Sequence, residues 1–257
     1  MFDPEEVADE LLAAYVTKRP IEPLAERFPG LTVRDAYDVQ QRQAKRRCDQ
    51  GETVVGRKIG LTSRPIRETF GVDVPDFGHL FDSMWCQTDD DIPVSRFIQP
   101  RVEPEVAFIL ERDLIGPGVT HVDAARAVAF CLPAIEIIDS RIADWKISIC
   151  DTIADNGSSG AFVLGDSPKR INDVNLRLIG CVLTKNRKVV ETGAGAAVLG
   201  SPLNALVWLA NALGEEAALT AGSIVMSGSI TGALPVEVGD LFVTELDGLG
   251  RVSAYFC

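Results

Sequence analysis

Histidine is nearly absent from this chain of 257 residues, which has two histidines and six cysteines. The cysteines form no C-x-x-C pair, so the closely spaced ligands of a zinc site are lacking. The sequence has no G-x-S-x-G segment to accompany His79 or His121, which disfavours a Ser-His-Asp hydrolase. The segment Gly193-Ala194-Gly195 lacks the third glycine of a dinucleotide-binding loop. We expect reduced, mostly buried thiols in a cytoplasmic protein.

Positive charge and long apolar runs are also in short supply. The net charge is −12, which argues against nucleic acid or an anionic membrane as a partner. We find no apolar run of membrane-spanning length, and the acidic N-terminal segment Met1–Glu6 does not resemble a signal peptide. An anionic substrate would therefore need a local cation or a metal ion to overcome the surrounding field.

The hydrophobic pattern changes character near residue 53. Before it, helical spacing predicts one helix beginning at Asp3-Pro4 and a second from about Thr32 to Cys48. After it, short β-rich runs are separated by Gly, Pro, Asn and Asp. We expect a helical N-terminal segment, residues 1–53, packed on a β-rich catalytic domain, residues 54–257.

The second part of the chain contains runs with the composition of strands. They lie at 54–59, 101–110, 134–138, 161–164, 176–183, 224–227, 241–246 and 252–256. Helices are predicted at 63–70, 121–130 and 201–213. Strands and helices do not alternate regularly, so the sequence predicts an α+β fold rather than a doubly wound parallel sheet.

Three glutamates stand in two segments that otherwise have the composition of buried strands. Glu103 and Glu105 point to the same face of one strand, about 7 Å apart, and Glu136 lies in an aliphatic run. Buried carboxylates need a positive partner, and Mg²⁺ or Mn²⁺ suits oxygen-only ligands. The alternative is that Glu103 and Glu105 are solvated edge residues. The sequence does not place the two segments side by side.

Several other residues admit both a chemical and a structural interpretation. Lys58 ends an apolar strand, where it either lies near the carboxylates or extends its ammonium to solvent. Leu61, at the start of the next helix, could offer its amide to an anion. Asp76 has the sequence context of a turn aspartate that bonds its own backbone. Ser158 and Ser159 are typical of a loop, which can also present hydroxyls to a carboxylate.

Five motifs occur in an order that resembles one enzyme family. They are Lys58–Ser63, Pro75–Gly78, Pro100–Glu105, Pro133–Arg141 and Asp155–Ser159. Together they resemble the 2-hydroxypentadienoate hydratase (2-keto-4-pentenoate hydratase) and 4-oxalocrotonate decarboxylase family, within the fumarylacetoacetate hydrolase superfamily. The resemblance extends from about Val7 to Phe256, nearly the whole chain.

That resemblance implies a role for each of the singled-out charged residues. Glu103, Glu105 and Glu136 match the family's metal ligands, for Mg²⁺ or Mn²⁺. Lys58 matches the active-site lysine, and Asp76 matches the acidic residue that faces the substrate.

The same resemblance implies a substrate-binding serine and a fold. Ser158 matches the serine, with Ser159 as the alternative if the alignment shifts by one residue, and Leu61 completes the expected substrate-binding set. Gly157 and Pro104 stand where relatives often have alanine. The implied fold is a β-rich roll of mixed strands with a small helical N-terminal part, in a homo-oligomer.

The implied activity is addition of water to 2-hydroxypenta-2,4-dienoate (2-keto-4-pentenoate), giving 4-hydroxy-2-oxopentanoate in meta-cleavage catabolism of aromatic compounds. No histidine matches the His-Glu pair of the superfamily's hydrolases, which favours a lyase. Decarboxylation of 4-oxalocrotonate (2-oxo-3-hexenedioate) is the alternative, although Pro75–Gly78 and Asp144-Trp145 resemble hydratases more. A non-catalytic scaffold for a decarboxylase or aldolase is a third possibility, against which the intact glutamates argue. The expected partners are a small anionic substrate, further copies of the chain and pathway enzymes.

Overall fold

A computed structural model describes residues 2–215 and 217–257 of the chain. Its helices are α1 (Pro4–Thr17), α2 (Leu24–Arg27), α3 (Val33–Asp49), α4 (Arg64–Phe70), α5 (His121–Ala127), α6 (Ile149–Ala154) and α7 (Pro202–Leu213). The predicted first helix is confirmed, and the Asp3 side chain accepts a hydrogen bond from the Glu5 amide at its start. The second is confirmed with a capping box between Thr32 and Asp35.

The strands form two curled sheets. They are β1 (Val54–Gly60), β2 (Asp76–Phe81), β3 (Trp85–Cys86), β4 (Asp91–Ile92), β5 (Arg101–Leu110), β6 (Val128–Ile138), β7 (Ser159–Leu164), β8 (Gly180–Lys185), β9 (Lys188–Ala194), β10 (Ile224–Met226), β11 (Leu234–Pro235), β12 (Leu241–Leu246) and β13 (Gly250–Phe256). The larger sheet has the order β2-β1-β10-β5-β6-β7-β3, with β11 added to β5, and the smaller has the order β4-β13-β12-β8-β9. Both mix parallel and antiparallel pairs, so the predicted α+β roll is confirmed.

Apolar side chains from both sheets pack in a shared core. Val102, Ile135 and Val163 of the larger sheet contact Phe242 and Phe256 of the smaller sheet. A second cluster packs α5 and α7 on the larger sheet, and a third joins α1 and α3 to α6. The N-terminal helices therefore bury their apolar faces against the helix that precedes the Asp155–Ser159 motif. The boundary between residues 53 and 54 stays a prediction.

The structure corrects several predicted element bounds. Residues 128–130 belong to β6 and not to the helix predicted at 121–130, because Val128 leaves the helix in an extended conformation and pairs with Leu110. The strand predicted from 176 begins at Gly180. Strands β2 and β9 were not predicted, since short runs with glycine and charged residues lack a clear apolar alternation.

One segment meets the length and composition of a membrane span, contrary to the expectation from the sequence. It is Gly195–Leu213, 19 residues with a mean hydropathy of 1.4. Its helix α7 has only 12 residues, roughly 18 Å in length, and is preceded by a turn at Gly195–Ala197. Leu206 and Leu209 of α7 are fully buried in the core. The segment is a core helix in this fold.

Candidate metal centre and substrate cavity

The pairing of β5 with β6 brings the three glutamates together. The two strands are antiparallel, and Glu103 lies directly opposite Glu136. Glu105 is two residues further along β5, on the same face as Glu103. One carboxylate oxygen from each of the three residues lies within 4.8 Å of the others. The register thus supplies the proximity that the sequence alone could not establish.

The three carboxylates have few partners for their charge. Glu105 and Glu136 are fully buried, and Glu105 accepts a hydrogen bond from the Gly228 amide at 2.8 Å. The other oxygen of Glu105 and both oxygens of Glu136 have no hydrogen-bond partner. Burial, and then repulsion from Glu136, raises the pKa of Glu103 to about 7, and burial likewise raises the pKa values of Glu105 and Glu136.

This donor set fits a hard divalent cation. All three ligands offer carboxylate oxygens, which Mg²⁺ and Mn²⁺ prefer. An ion would satisfy the unpartnered oxygens and offset the repulsion that raises the pKa values. Buried carboxylates without partners are otherwise costly, so the arrangement fits a metal centre better than a solvated edge.

Lys58 lies beside this group of glutamates and not in solvent. Its Nζ forms an ion pair with Glu136 Oε1 at 3.4 Å, although the geometry is not that of a hydrogen bond. The same Nζ donates a hydrogen bond to the Gly157 carbonyl at 2.8 Å. Burial acts to lower the pKa of Lys58, but Glu136, Asp76 and the other glutamates together raise it above its usual value. Lys58 therefore stays cationic at neutral pH.

Asp76 begins strand β2 and does not occupy the turn that its sequence context suggests. It is buried, and its Oδ2 accepts a hydrogen bond from Thr152 Oγ1 at 3.3 Å, while Oδ1 has no partner. A side chain at Gly60 would place its Cβ 2.1 Å from Asp76 Oδ1, so only glycine permits this approach. Burial raises the pKa of Asp76, although Lys58 opposes the shift. Buried carboxyls beside a charged partner are typical of sites that transfer protons.

A turn at Asn156–Ser158 carries the carbonyl that Lys58 contacts. All three residues have φ between 53° and 62°, the left-handed region. The Asn156 side chain fixes the turn to β2, because it accepts a hydrogen bond from the His79 amide at 2.7 Å and donates one to the His79 carbonyl at 2.9 Å.

The two candidate serines point in different directions. Ser158 lines the cavity beside Lys58 and Asp76. Ser159 does not line it, because its hydroxyl lies 3.9 Å from the sulfur of Met84 instead. Its position gives no support to substrate binding by Ser159.

The cavity has a volume of about 450 Å³. Glu103 and Leu61 line it together with Lys58, and Leu61 has a left-handed φ of 55°. Further lining residues, which sequence reasoning missed, include Thr152, Arg101 and Trp145. Alternation along β5 could have identified Arg101, since it shares a face with Glu103. The cavity thus combines an anionic centre, fixed cations and an apolar wall.

Most of the chain is similar to proteins of one known family. Residues 62–256 match the model of the fumarylacetoacetate (FAA) hydrolase C-terminal family. The chain is 45% identical to a 2-keto-4-pentenoate hydratase of Paraburkholderia xenovorans over 253 residues, which are 98% of this chain and 94% of that protein. It is 40% identical to a 2-hydroxyhexa-2,4-dienoate hydratase of Comamonas testosteroni, over 98% of this chain and 97% of that one.

A solved structure is similar over almost the whole fold. It is the 4-oxalocrotonate decarboxylase of Pseudomonas putida G7, complexed with magnesium and adipate. The TM-score is 0.96 at 37% sequence identity, covering 99% of this chain and 97% of that one.

Proposed function

We propose that this chain, which belongs to the fumarylacetoacetate hydrolase family, is a divalent-metal-dependent hydro-lyase that hydrates 2-hydroxypenta-2,4-dienoate to 4-hydroxy-2-oxopentanoate. The observation that carries the proposal is the group of three convergent carboxylates with unpartnered oxygens, next to a buried Lys58 and a buried Asp76. The hydratase relatives, at 40 to 45% identity, support the choice of reaction. Such a reaction belongs to the catabolism of aromatic compounds.

The three glutamates would hold Mg²⁺ or Mn²⁺. When bound there, the cation supplies Lewis-acid stabilisation of the charge that develops on the 2-oxygen of the substrate. Lys58 keeps its positive charge beside Glu136 and orders the Gly157 carbonyl. Its role in the proposal is electrostatic and orienting, because it already contacts both Glu136 and the Gly157 carbonyl.

Asp76 is the residue proposed to move protons. The dienol first loses its hydroxyl proton and gains a proton at C5, which gives a conjugated 2-oxo-3-enoate. Water then adds its oxygen to C4, while C3 takes up a proton. The unpartnered Oδ1 of Asp76 is free to hold the water or carry a proton. Ser158 and Leu61 would contact the substrate from the same cavity.

Decarboxylation of 4-oxalocrotonate is the second candidate, because the similar decarboxylase has nearly the same fold. It would use the same glutamates. The scaffold interpretation is weaker, since a protein without catalysis has no need of an unneutralised group of buried glutamates.

The deciding experiment assays both substrates with Mg²⁺ and with Mn²⁺ on metal-stripped and replenished protein. We expect hydration of the dienoate, loss of activity on stripping, and recovery on replenishment. Asp76→Asn and Lys58→Met should each lower kcat by about 10²- to 10⁴-fold while metal binding persists. CO₂ release from 4-oxalocrotonate without hydration would refute the hydratase assignment. No turnover, together with activation of a co-purifying decarboxylase or aldolase, would establish the scaffold.

Three further features extend the proposal beyond the reaction. We place the enzyme in the cytoplasm, as a homo-oligomer that associates with enzymes of the same pathway. We also keep the division into a helical segment, residues 1–53, and a catalytic domain, residues 54–257.

A further inference from the structure

Arg101 is a cation of the cavity to which no role has yet been given. It is the first residue of β5, two residues before Glu103, so the two side chains share a face about 7 Å apart along the strand. Both line the same cavity.

The guanidinium is held from one side only. Its central carbon lies 4.7 Å from the ring centroid of Trp145, a cation–π contact. The Trp145 indole is itself fixed, because its Nε1 donates a hydrogen bond to the Gln99 carbonyl at 3.0 Å. Trp145 therefore orients Arg101 without using any of its N–H donors.

The N–H donors of Arg101 have no acceptor within residues 2–215 and 217–257. None of its nitrogens is both buried and unpartnered, so the donors are accessible, and Arg101 lines the cavity. Lys58 differs, since it already contacts Glu136 and the Gly157 carbonyl. Of these two cations, Arg101 has the free, forked donor set that matches a carboxylate.

We infer that Arg101 is a substrate-binding residue that binds the C1 carboxylate of a 2-oxo acid whose headgroup chelates the cation at Glu103, Glu105 and Glu136. The carboxylate then lies on the Arg101 side of the cavity, and the hydrocarbon tail runs toward Asp76 and Ser158. This orientation puts C4 and C5 beside the residue proposed to transfer protons. The inference rests on the proposed function only in taking a 2-oxo acid as the substrate.

The test uses oxalate, which has a chelating headgroup and no tail, as the probe. Its affinity for the Mn²⁺-loaded protein is measured by calorimetry for the wild type, Arg101→Met and Arg101→Lys. The matched control is Arg170→Met, because Arg170 stacks on Phe130 at the same 4.7 Å but lines a different part of the surface. Mn²⁺ affinity without oxalate is measured on every variant.

Arg101→Met should weaken oxalate binding by about 10- to 100-fold, the usual effect of losing a charge-assisted hydrogen-bonded pair. Arg101→Lys should recover part of the loss, and the control should bind as the wild type does. Mn²⁺ affinity should stay equal or rise, because a positive charge near Glu103 is removed. A structural defect would instead weaken Mn²⁺ binding along with oxalate binding, which would overturn the inference.

Two other results would also overturn it. One is unchanged oxalate affinity in Arg101→Met. If oxalate affinity is unchanged but adipate affinity falls, then Arg101 contacts the far end of a dicarboxylate and not the headgroup. The other is failure of the Mn²⁺-loaded wild type to bind oxalate. These readouts need no turnover, so an Arg101-dependent oxalate site in a protein that hydrates no dienoate would refute the proposed function and leave this inference standing.

Discussion

Two groups of buried charges lie close together in this molecule and are built differently. In the first, Arg141 and Asp155 are both fully buried, with Arg141 Nε 2.5 Å from Asp155 Oδ1. Arg141 also donates hydrogen bonds to the Ser159 and Asp155 carbonyls, and Asp155 accepts one from the Arg141 amide. The pair is neutral, and its polar atoms have partners.

In the second group, Glu103, Glu105 and Glu136 face one another, Lys58 forms an ion pair with Glu136, and three of the glutamate oxygens have no hydrogen-bond partner. The protein supplies a countercharge and hydrogen-bond partners for both members of the Arg141–Asp155 pair, whereas the glutamates lack such partners for several of their oxygens. The difference supports the proposal that a ligand completes the second group, whereas loss of one partner from the first would leave an uncompensated buried charge.

The largest expected effect is the loss of activity when Glu105 is replaced, compared with the replacement of an exposed strand glutamate. Glu105→Gln should lower activity by more than about 10³-fold, because metal affinity and Lewis-acid stabilisation are lost together. The fold should persist, as judged by circular dichroism. The control is Glu245→Gln, which lies at an exposed position of β12 and should retain activity. Wild-type Mn²⁺ affinity in Glu105→Gln would contradict the assignment.

Breaking the Arg141–Asp155 pair should lower the free energy of unfolding. Arg141→Met leaves Asp155 buried without its countercharge, which should cost about 3–5 kcal/mol in the free energy of unfolding. Urea denaturation measures the loss. The control is Arg64→Met, whose ion pair with Glu68 is exposed and should contribute below about 1 kcal/mol. Equal losses in the two variants would remove the contrast.

The stabilisation that Mg²⁺ confers should grow with pH. The folded-state pKa of Glu103 is raised to about 7 from an unfolded value near 4.5, so the metal-free folded protein takes up protons that the unfolded chain does not. Metal-free stability therefore rises as pH falls through this window, and bound metal must displace those protons. We expect the Mg²⁺-induced gain to increase from pH 6 to pH 8, by up to about 1.4 kcal/mol per pH unit for each proton displaced.

Urea unfolding with and without Mg²⁺ at each pH tests this expectation. Glu105→Gln should show almost no Mg²⁺-dependent gain. A gain in the wild type that is independent of pH would mean that the glutamates are already ionised without metal.

The smallest expected effect concerns a buried group outside both sets. Burial, and then Arg57, lowers the pKa of His79 to about 3. Below the unfolded pKa of about 6.5, the unfolded chain binds a proton that folded His79 does not, so stability is lost as pH falls toward 3. From pH 7 to pH 5 the wild type should lose about 1–2 kcal/mol more than His79→Gln. Parallel denaturation curves decide it, with His121→Gln on the exposed start of α5 as the control.

Local sequence patterns predicted elements better than they predicted how elements meet. The bounds predicted for β5 and β12 are those found, because both strands have a strong β composition between clear turn signals. The proximity of Glu103 and Glu136 depends on strand register, which no local pattern encodes. The candidate metal ligands were therefore predicted from their residue type and apolar surroundings and from family resemblance, whereas their proximity came from the structure.

Asp76 and Arg101 also show that local sequence does not predict the surroundings of a side chain. Asp76 looks like a turn residue locally, yet β2 pairs with β1 and buries it against Gly60. Arg101 looks like a polar strand end, and only the loop after β6 brings Trp145 onto it. In both cases a contact distant in sequence determines the role of the side chain.

If the glutamates hold an ion as proposed, the direct opposition of Glu103 and Glu136 would also involve that ion in the maturation of the protein. A slip of one residue between β5 and β6 would send the side chains of one strand to the opposite side and leave no chelating trio. Only correctly aligned chains would bind the cation, so its binding would shift the population toward them by mass action. Metal retention through gel filtration would then report the alignment of β5 with β6.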